Sequence, residues 1–148
     1  MWHLLLSTTP DPVVALARIV LGLVILPHGL QKLFGWFGGG GLRGTFQGFA
    51  SMGIPQPLTS MAIAAESFGA LAVIFGVYGR IAALGIAVVM AVAALRVHRP
   101  HGFFMNWYGQ GKGEGFEFHL LALALAMVVI WRGSGAWSVD LWLSHLLH

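Results

Sequence analysis

The sequence predicts an all-α integral membrane protein: a four-helix bundle with an interfacial loop and a C-terminal amphipathic helix. Three observations lead there. Charged residues make up only 9 % of the 148-residue chain and hydrophobic ones 57 %, whereas a soluble domain carries about 25 % charged residues. Mean hydropathy is +0.81. The apolar residues gather into four segments that approach the roughly 20 residues needed to cross a hydrocarbon core. Residues 1–148 suit a single domain, with no internal repeat. An ordinary soluble enzyme is excluded. The chain has no cysteine, which removes disulfides, thiolate metal sites, Fe–S clusters and any thiol redox cycle of its own. Its eight basic residues are scattered, so nucleic acid is not an expected partner.

The first span is expected over about Val13–Phe34, with Asp11 as its cap and Pro12 in the first turn, where a missing N–H does no harm. The second covers about Leu58–Val77, entered by Pro57 and left by Gly79. The third, about Arg80–Val97, should stop before Pro100. The fourth and shortest, about Phe116–Trp131, ends at Gly133. Spans two and three are joined tightly and should be antiparallel neighbours. Between spans one and two, Gly38–Gly41 reads as flexible, and Thr45–Met52 as a short helix setting Phe46, Phe49 and Met52 at the interface. The tail from Ser138 to His148 reads as an amphipathic helix lying on the membrane. The start, MWHLLLSTTPDP, lacks a basic n-region and is not expected to be a cleavable signal peptide.

The end at which spans one and three finish is termed side B, the other side A. Lys32, Arg43, Arg96, Arg99 and Lys112 fall at side B, against Arg18, Arg80 and Arg132 at side A. Counted alone, the positive-inside rule would place side B in the cytoplasm.

Ionisable residues in or beside the spans are expensive in lipid and therefore informative. His28, Gln31 and Lys32 close span one at side B, and His98 and His101 follow span three there. Glu66 lies roughly 12 Å into span two, and Glu117 and His119 open span four. Helical phase aligns Arg18, Gly22, Ile25, Gly29 and Lys32 on one stripe, with His28 beside it. Ala62, Glu66, Gly69, Val73 and Gly76 share another, and both should face inward. Glu66 is expected opposite a basic partner from span one, His28 or Lys32, because an isolated carboxylate at that depth would protonate. Glu117 and His119 are about 200° apart and cannot share a cavity. Glu117 is expected inward, its stripe continued by Leu120, Ala124 and Met127, leaving His119 at the headgroups. Lys32, Arg80, Arg96, Arg99 and Arg132 sit at span ends, where snorkelling to phosphates is the default. His3, His145 and His148 receive no role.

The order Arg18-Ile-Val-Leu-Gly22, His28-Gly29-x-x-Lys32, Gly53-Ile-Pro55, Glu66-x-x-Gly69 and Gly76-x-x-x-Arg80 resembles the DoxX family. So does His101-Gly-Phe-Phe104 followed by Gly115-Phe-Glu117, and Gly133-x-Gly135-x-x-Ser138-x-Asp140. The resemblance runs from Pro12 to Leu141. It implies a multi-pass protein of the bacterial inner membrane related to DoxD, the membrane subunit of thiosulfate:quinone oxidoreductase. It also implies electron transfer into quinone, a link to redox or sulfur stress, and a soluble redox partner protein. Family orientation puts side A inside, opposite to the charge count, and is the one followed. The Gly38–Gly41 stretch and the Asn106–Gly113 loop look like local elaborations.

Two functions are compatible with these residues. In the first the chain is a quinone-facing redox subunit. Reducing a quinone takes two protons, for which His28, Glu66, His101 and Glu117 are the candidate catalytic donors, with carboxylates tuned by burial. Phe34, Phe46, Phe103, Phe104, Trp107 and Tyr108 could line a ring slot, and Lys32, Arg96 or Arg99 could bind an anionic donor. Lys32, Phe103, Phe104 and Trp107 are the residues named for cofactor binding. Electrons must come from a partner protein, a flavin or a small reductant. A metal is not expected. His98 and His101 are the candidates for one, but two histidines three apart in a loop broken by proline are not a defined helical ligand pair. In the second function the chain is a membrane anchor, an assembly subunit or a small-solute passage. Besides lipid and a redox partner, a second copy of the chain is a candidate partner.

Four spans place both termini on one side. Reporter fusions after Gly79 and at His148 should therefore report the same compartment and a fusion after Phe34 the other. Opposite compartments for Gly79 and His148 would remove the four-span topology.

Overall fold

The computed structural model describes residues 6–146, among which there are helices and turns but no strand. His3, His148 and the first residues of the start segment lie outside them. Helix α1 is Pro12–Phe34. Asp11 caps it as expected, its carboxylate accepting from the Val13 amide at 2.8 Å and the Val14 amide at 3.3 Å. Gly35 ends it in the left-handed region, φ 76°. A short turn, Trp36–Gly38, leads into α2, Gly41–Ser51, which begins four residues before the expected interfacial helix. The Thr45 hydroxyl donates to the Lys32 carbonyl and ties α2 to the end of α1.

Helix α3 spans Gln56–Phe75 and holds one π-turn, Ala65–Gly69. Helix α4 runs Gly79–His101, with a second π-turn at Ala94–His98 and a last 3₁₀ turn at Arg99–His101. It therefore passes the expected stop before Pro100. The proline falls in the first positions of the 3₁₀ turn, where its missing N–H costs no hydrogen bond. Helix α5 is Glu117–Arg132 and α6 is Val139–Leu146. By length and hydropathy, α1, α3 and α4 can cross a membrane. The 16 residues of α5 reach only about 24 Å.

Helices α1, α3, α4 and α5 share one continuous core, from Leu21 and Ile25 through Ala70, Val73, Ile86 and Met90 to Ala122, Ala126 and Val129. Among apolar lipid tails the hydrophobic effect contributes little to helix association, so close packing and polar bonds must hold these helices. Two α1 glycines allow the approach to α3. A Cβ on Gly22 would collide with Ile74 and the Ala70 carbonyl, and one on Gly29 with the Glu66 carbonyl. The inward stripe expected on α1 is thus seen.

Side A is closed by charges that reach helix ends. Arg18 is 1 % exposed and makes no direct ion pair among the described residues. Its Nε donates to the Ser134 carbonyl at 2.5 Å, Nη1 to the Val73 and Ile74 carbonyls, and Nη2 to Ala136 and Trp137 at 3.1 and 2.7 Å. The guanidinium fork thereby binds the last turn of α3 to the turn before α6. Asp140 mirrors it, accepting from the Tyr78 and Gly79 amides at 2.7 and 2.9 Å and from the Ser134 hydroxyl at 2.5 Å. The C-terminal helix is thus pinned inward by a buried carboxylate. Snorkelling is also replaced at Arg80, which donates to the Ile130 and Trp131 carbonyls ending α5 and to the Ser7 carbonyl. Arg132 stands 3.6 Å from Asp11. Arg96 and Arg99 are exposed at side B.

Replacing Arg18 with Ala should leave several buried carbonyls without donors, each costing about 1–3 kcal/mol. The unfolding midpoint in detergent should fall well below that of the wild type. Arg18→Lys should recover only part of the loss, since a point ammonium cannot serve both sides of the fork. An unchanged midpoint in Arg18→Ala would show that the guanidinium does not hold this end together.

Candidate functional site

Side B is where polar side chains outnumber the helix ends they could serve. Helix α1 brings His28 and Lys32 there, and α3 enters from the same side. The π-turn of α3 adds one residue to the helical turn, and Glu66 and Ser67 are both buried as a result, at 4 % and 2 % exposure. Gly29 lets α1 touch the backbone at this point. The Lys32 ammonium meets the Glu66 carboxylate in a direct ion pair whose acid is almost enclosed. The basic partner expected for Glu66 is therefore Lys32. His28 is exposed, with its ring 5.5 Å from that of Phe118 and within electrostatic reach of Lys32, Glu66 and His98.

The second π-turn presents His98 to α5. Its ring lies 4.1 Å from that of His119, tilted by 40°. His98 Nδ1 is 2.9 Å from the Glu114 carbonyl. His119 is buried, and neither its Nδ1 nor the Ser67 hydroxyl has a hydrogen-bond partner among the described residues. Buried polar atoms are nearly always bonded to protein or water, so two open ones at one end of a molecule mark a place that can receive something polar.

The orientation of α5 corrects the sequence reading. His119, Ala122, Ala126 and Val129 face the core, while Leu120 and Met127 are exposed. Glu117 turns to the loop, where its carboxylate accepts from the Met105 amide at 3.1 Å and the Trp107 indole at 3.0 Å. Small alanines decide the packed face, since α4 approaches α5 closely, and Glu117 finds its donors outside the core. His101 also stands apart: it is exposed, with its ring over Gly113. His98 and His101 therefore have different neighbours, the Glu114 carbonyl and Gly113. Among the described residues no group of three His, Asp or Glu side chains is placed to hold a metal.

Phe103, Phe104 and Trp107 are exposed, as is Tyr108. The loop carrying them is closed by backbone bonds from Gly115 to Phe104, Phe116 to Gly102 and Glu117 to Phe103. Phe103 packs edge-on against Phe104 and Phe116 at 5.2 and 5.4 Å. These residues form an outward aromatic surface and not the walls of an enclosed slot. Sequence reasoning gives no sign of Ser67 or the two π-turns, and it places at the headgroups a His119 that is buried. The alanine stripe of α5 was the available signal for His119; the π-turns left none.

Glu66→Gln keeps a hydrogen-bonding group against Lys32 and should leave a folded protein. Glu66→Ala leaves the Lys32 ammonium without its partner and opens a space beside the core, and should destabilise the fold. Thermal unfolding in detergent should rank wild type and Gln together, with Ala clearly lower. Equal midpoints for Ala and wild type would make the pair energetically idle.

The DoxX family model matches residues 13–99, a stretch that contains Arg18, Lys32, Glu66 and His98 and ends before α5. The chain is also 31 % identical, over 91 residues, to a protein of Bacillus subtilis (strain 168) named "Putative oxidoreductase CatD"; the match covers 62 % of this chain and 63 % of that relative, less than two thirds of its length. No solved structure gives a significant match. With its matched region reaching from α1 to the π-turn of α4, this chain belongs to the DoxX family.

Proposed function

We propose that the chain is the membrane subunit of a quinone-linked redox system of the bacterial inner membrane, with side B as its proton-exchanging end. The observation that carries this reading is the enclosed Lys32–Glu66 pair in a π-turn, beside His28 and the His98–His119 rings. A quinone accepts two electrons and two protons when it is reduced. The residues at side B suit the proton half of that chemistry. Glu66 can hold or release a proton against Lys32, and the imidazoles can exchange protons with water at the exposed side of His28. The exposed aromatic loop suits contact with a lipid-borne ring compound. No cysteine is present to carry electrons, so a soluble redox partner or a small reductant of the sulfur-oxyanion class delivers them. The name of the Bacillus relative is in keeping with an oxidoreductase.

The same reading takes α5 as a fourth span. Its outward face is apolar, with Leu120, Leu121, Met127 and Val128 exposed. Exposed tryptophans sit at both ends, Trp36 and Trp107 at side B and Trp131, Trp137 and Trp142 at side A, as in the two aromatic belts of a membrane protein. In this topology the amphipathic α6 lies along the side A interface with its termini in the cytoplasm. A second reading, a non-catalytic anchor, is supported by Arg18, a buried charge whose partners are backbone carbonyls.

Gentle purification from membranes, followed by identification of bound quinone and proteins, tests the redox reading directly. Glu66→Gln should accumulate to wild-type levels and lose quinone reduction in the presence of the native electron donor. Full activity in Glu66→Gln, or lower abundance with unchanged activity per molecule, would favour the anchor.

A further inference from the structure

The His98–His119 pair carries an asymmetry that the redox reading does not use. The Glu114 carbonyl can only accept, so His98 Nδ1 bears a hydrogen and Nε2 is the atom that gains or loses one. His119 is more than nine-tenths buried and its Nδ1 has no partner, so charging this ring would enclose both a charge and an unmatched N–H. His98 is only half-buried. With ring centroids 4.1 Å apart, two imidazolium charges would repel strongly, and such neighbours titrate as a unit. His28 from α1 is the further titratable group within electrostatic reach of both rings, and Lys32 and Glu66 in turn act on His28. Glu66 is paired with Lys32, and the Glu114 and Glu117 carboxylates accept from the Asn106 amide and from the Met105 amide and Trp107 indole, so among the described residues no carboxylate makes an ion pair with either ring.

We propose that His98 and His119 form a single-proton station, in which His98 takes the charge and His119 stays neutral with its buried Nδ1 open to a polar group of a bound small molecule. One N–H bond forms at His98 Nε2 when the station fills and breaks when it empties; no electron moves. The proposal rests on the reading of side B as a proton-exchanging end, but its test needs neither quinone nor an electron donor.

Histidine-selective ¹⁵N NMR of the full chain in detergent micelles, followed across mildly acidic to alkaline pH, reads the charge and tautomer of each ring. The neutral His98 should be the Nδ1–H tautomer, and His119 should remain uncharged throughout the range in which His98 gains its proton. In His98→Gln, the midpoint of His119 should rise by about one pH unit or more, because the competing charge is gone. Simultaneous charging of both rings, or a His119 midpoint that is the same in His98→Gln, would overturn the station. If the variant does not fold, the wild-type curves decide alone, since joint charging refutes the proposal and sequential charging supports it. A failed station would leave the quinone reading intact, and an absence of quinone binding would leave the titration result intact.

Discussion

A helix that ends beside lipid leaves carbonyls or amides without partners, and there is little water to serve them. This protein answers that constraint with charged side chains sent from distant segments. Arg18 covers the carbonyl end of α3, Arg80 the carbonyl end of α5, Asp140 the amide end of α4 and Asp11 that of α1. Each charge sits at the pole of the helix dipole that favours it, cations on carbonyls and anions on amides. A composition so poor in charge therefore places five of its thirteen acidic and basic residues, Asp11, Arg18, Arg80, Arg132 and Asp140, in structural contacts at side A.

Side B follows a different rule. Lys32 and Glu66 pair with each other there, and two buried atoms, the Ser67 hydroxyl and His119 Nδ1, have no hydrogen-bond partner among the described residues. Both neighbouring π-turns contribute. Inserting one residue into a turn shifts the phase of everything around it, so that Glu66 and Ser67 can both face inward and His98 can reach α5. At side A buried charges meet helix ends, whereas side B keeps two buried polar atoms without a partner among the described residues.

Much of this was legible in the residues themselves. Asp11 and Pro12 announce the start of α1, and the Gly22–Gly29–Lys32 stripe announces its packed face, because small residues and a buried partner for Glu66 leave few alternatives. The α5 register was not legible from charge. Glu117 and His119 are both polar, and only the space available to Ala122 and Ala126 selects between them. Arg18 shared the inward stripe, yet its partners are backbone carbonyls more than fifty residues away, which no local pattern encodes. The same holds for the π-turns, whose sequences, AESFG and ALRVH, are ordinary helix formers. Pro100 was read as a stop because a regular α-helix cannot pass it; a π-turn followed by a 3₁₀ turn can.

The carboxylate of Asp140 has a consequence for how the chain is made. It serves amides that lie 62 and 61 residues upstream, at the turn between α3 and α4. A ribosome releases that hairpin long before it releases its cap. Until α6 has been synthesised, the Tyr78 and Gly79 amides must be served by water or another acceptor, and the hairpin gains this cap only when Asp140 is in place. Maturation of the two central helices is thereby timed by a residue that belongs to neither.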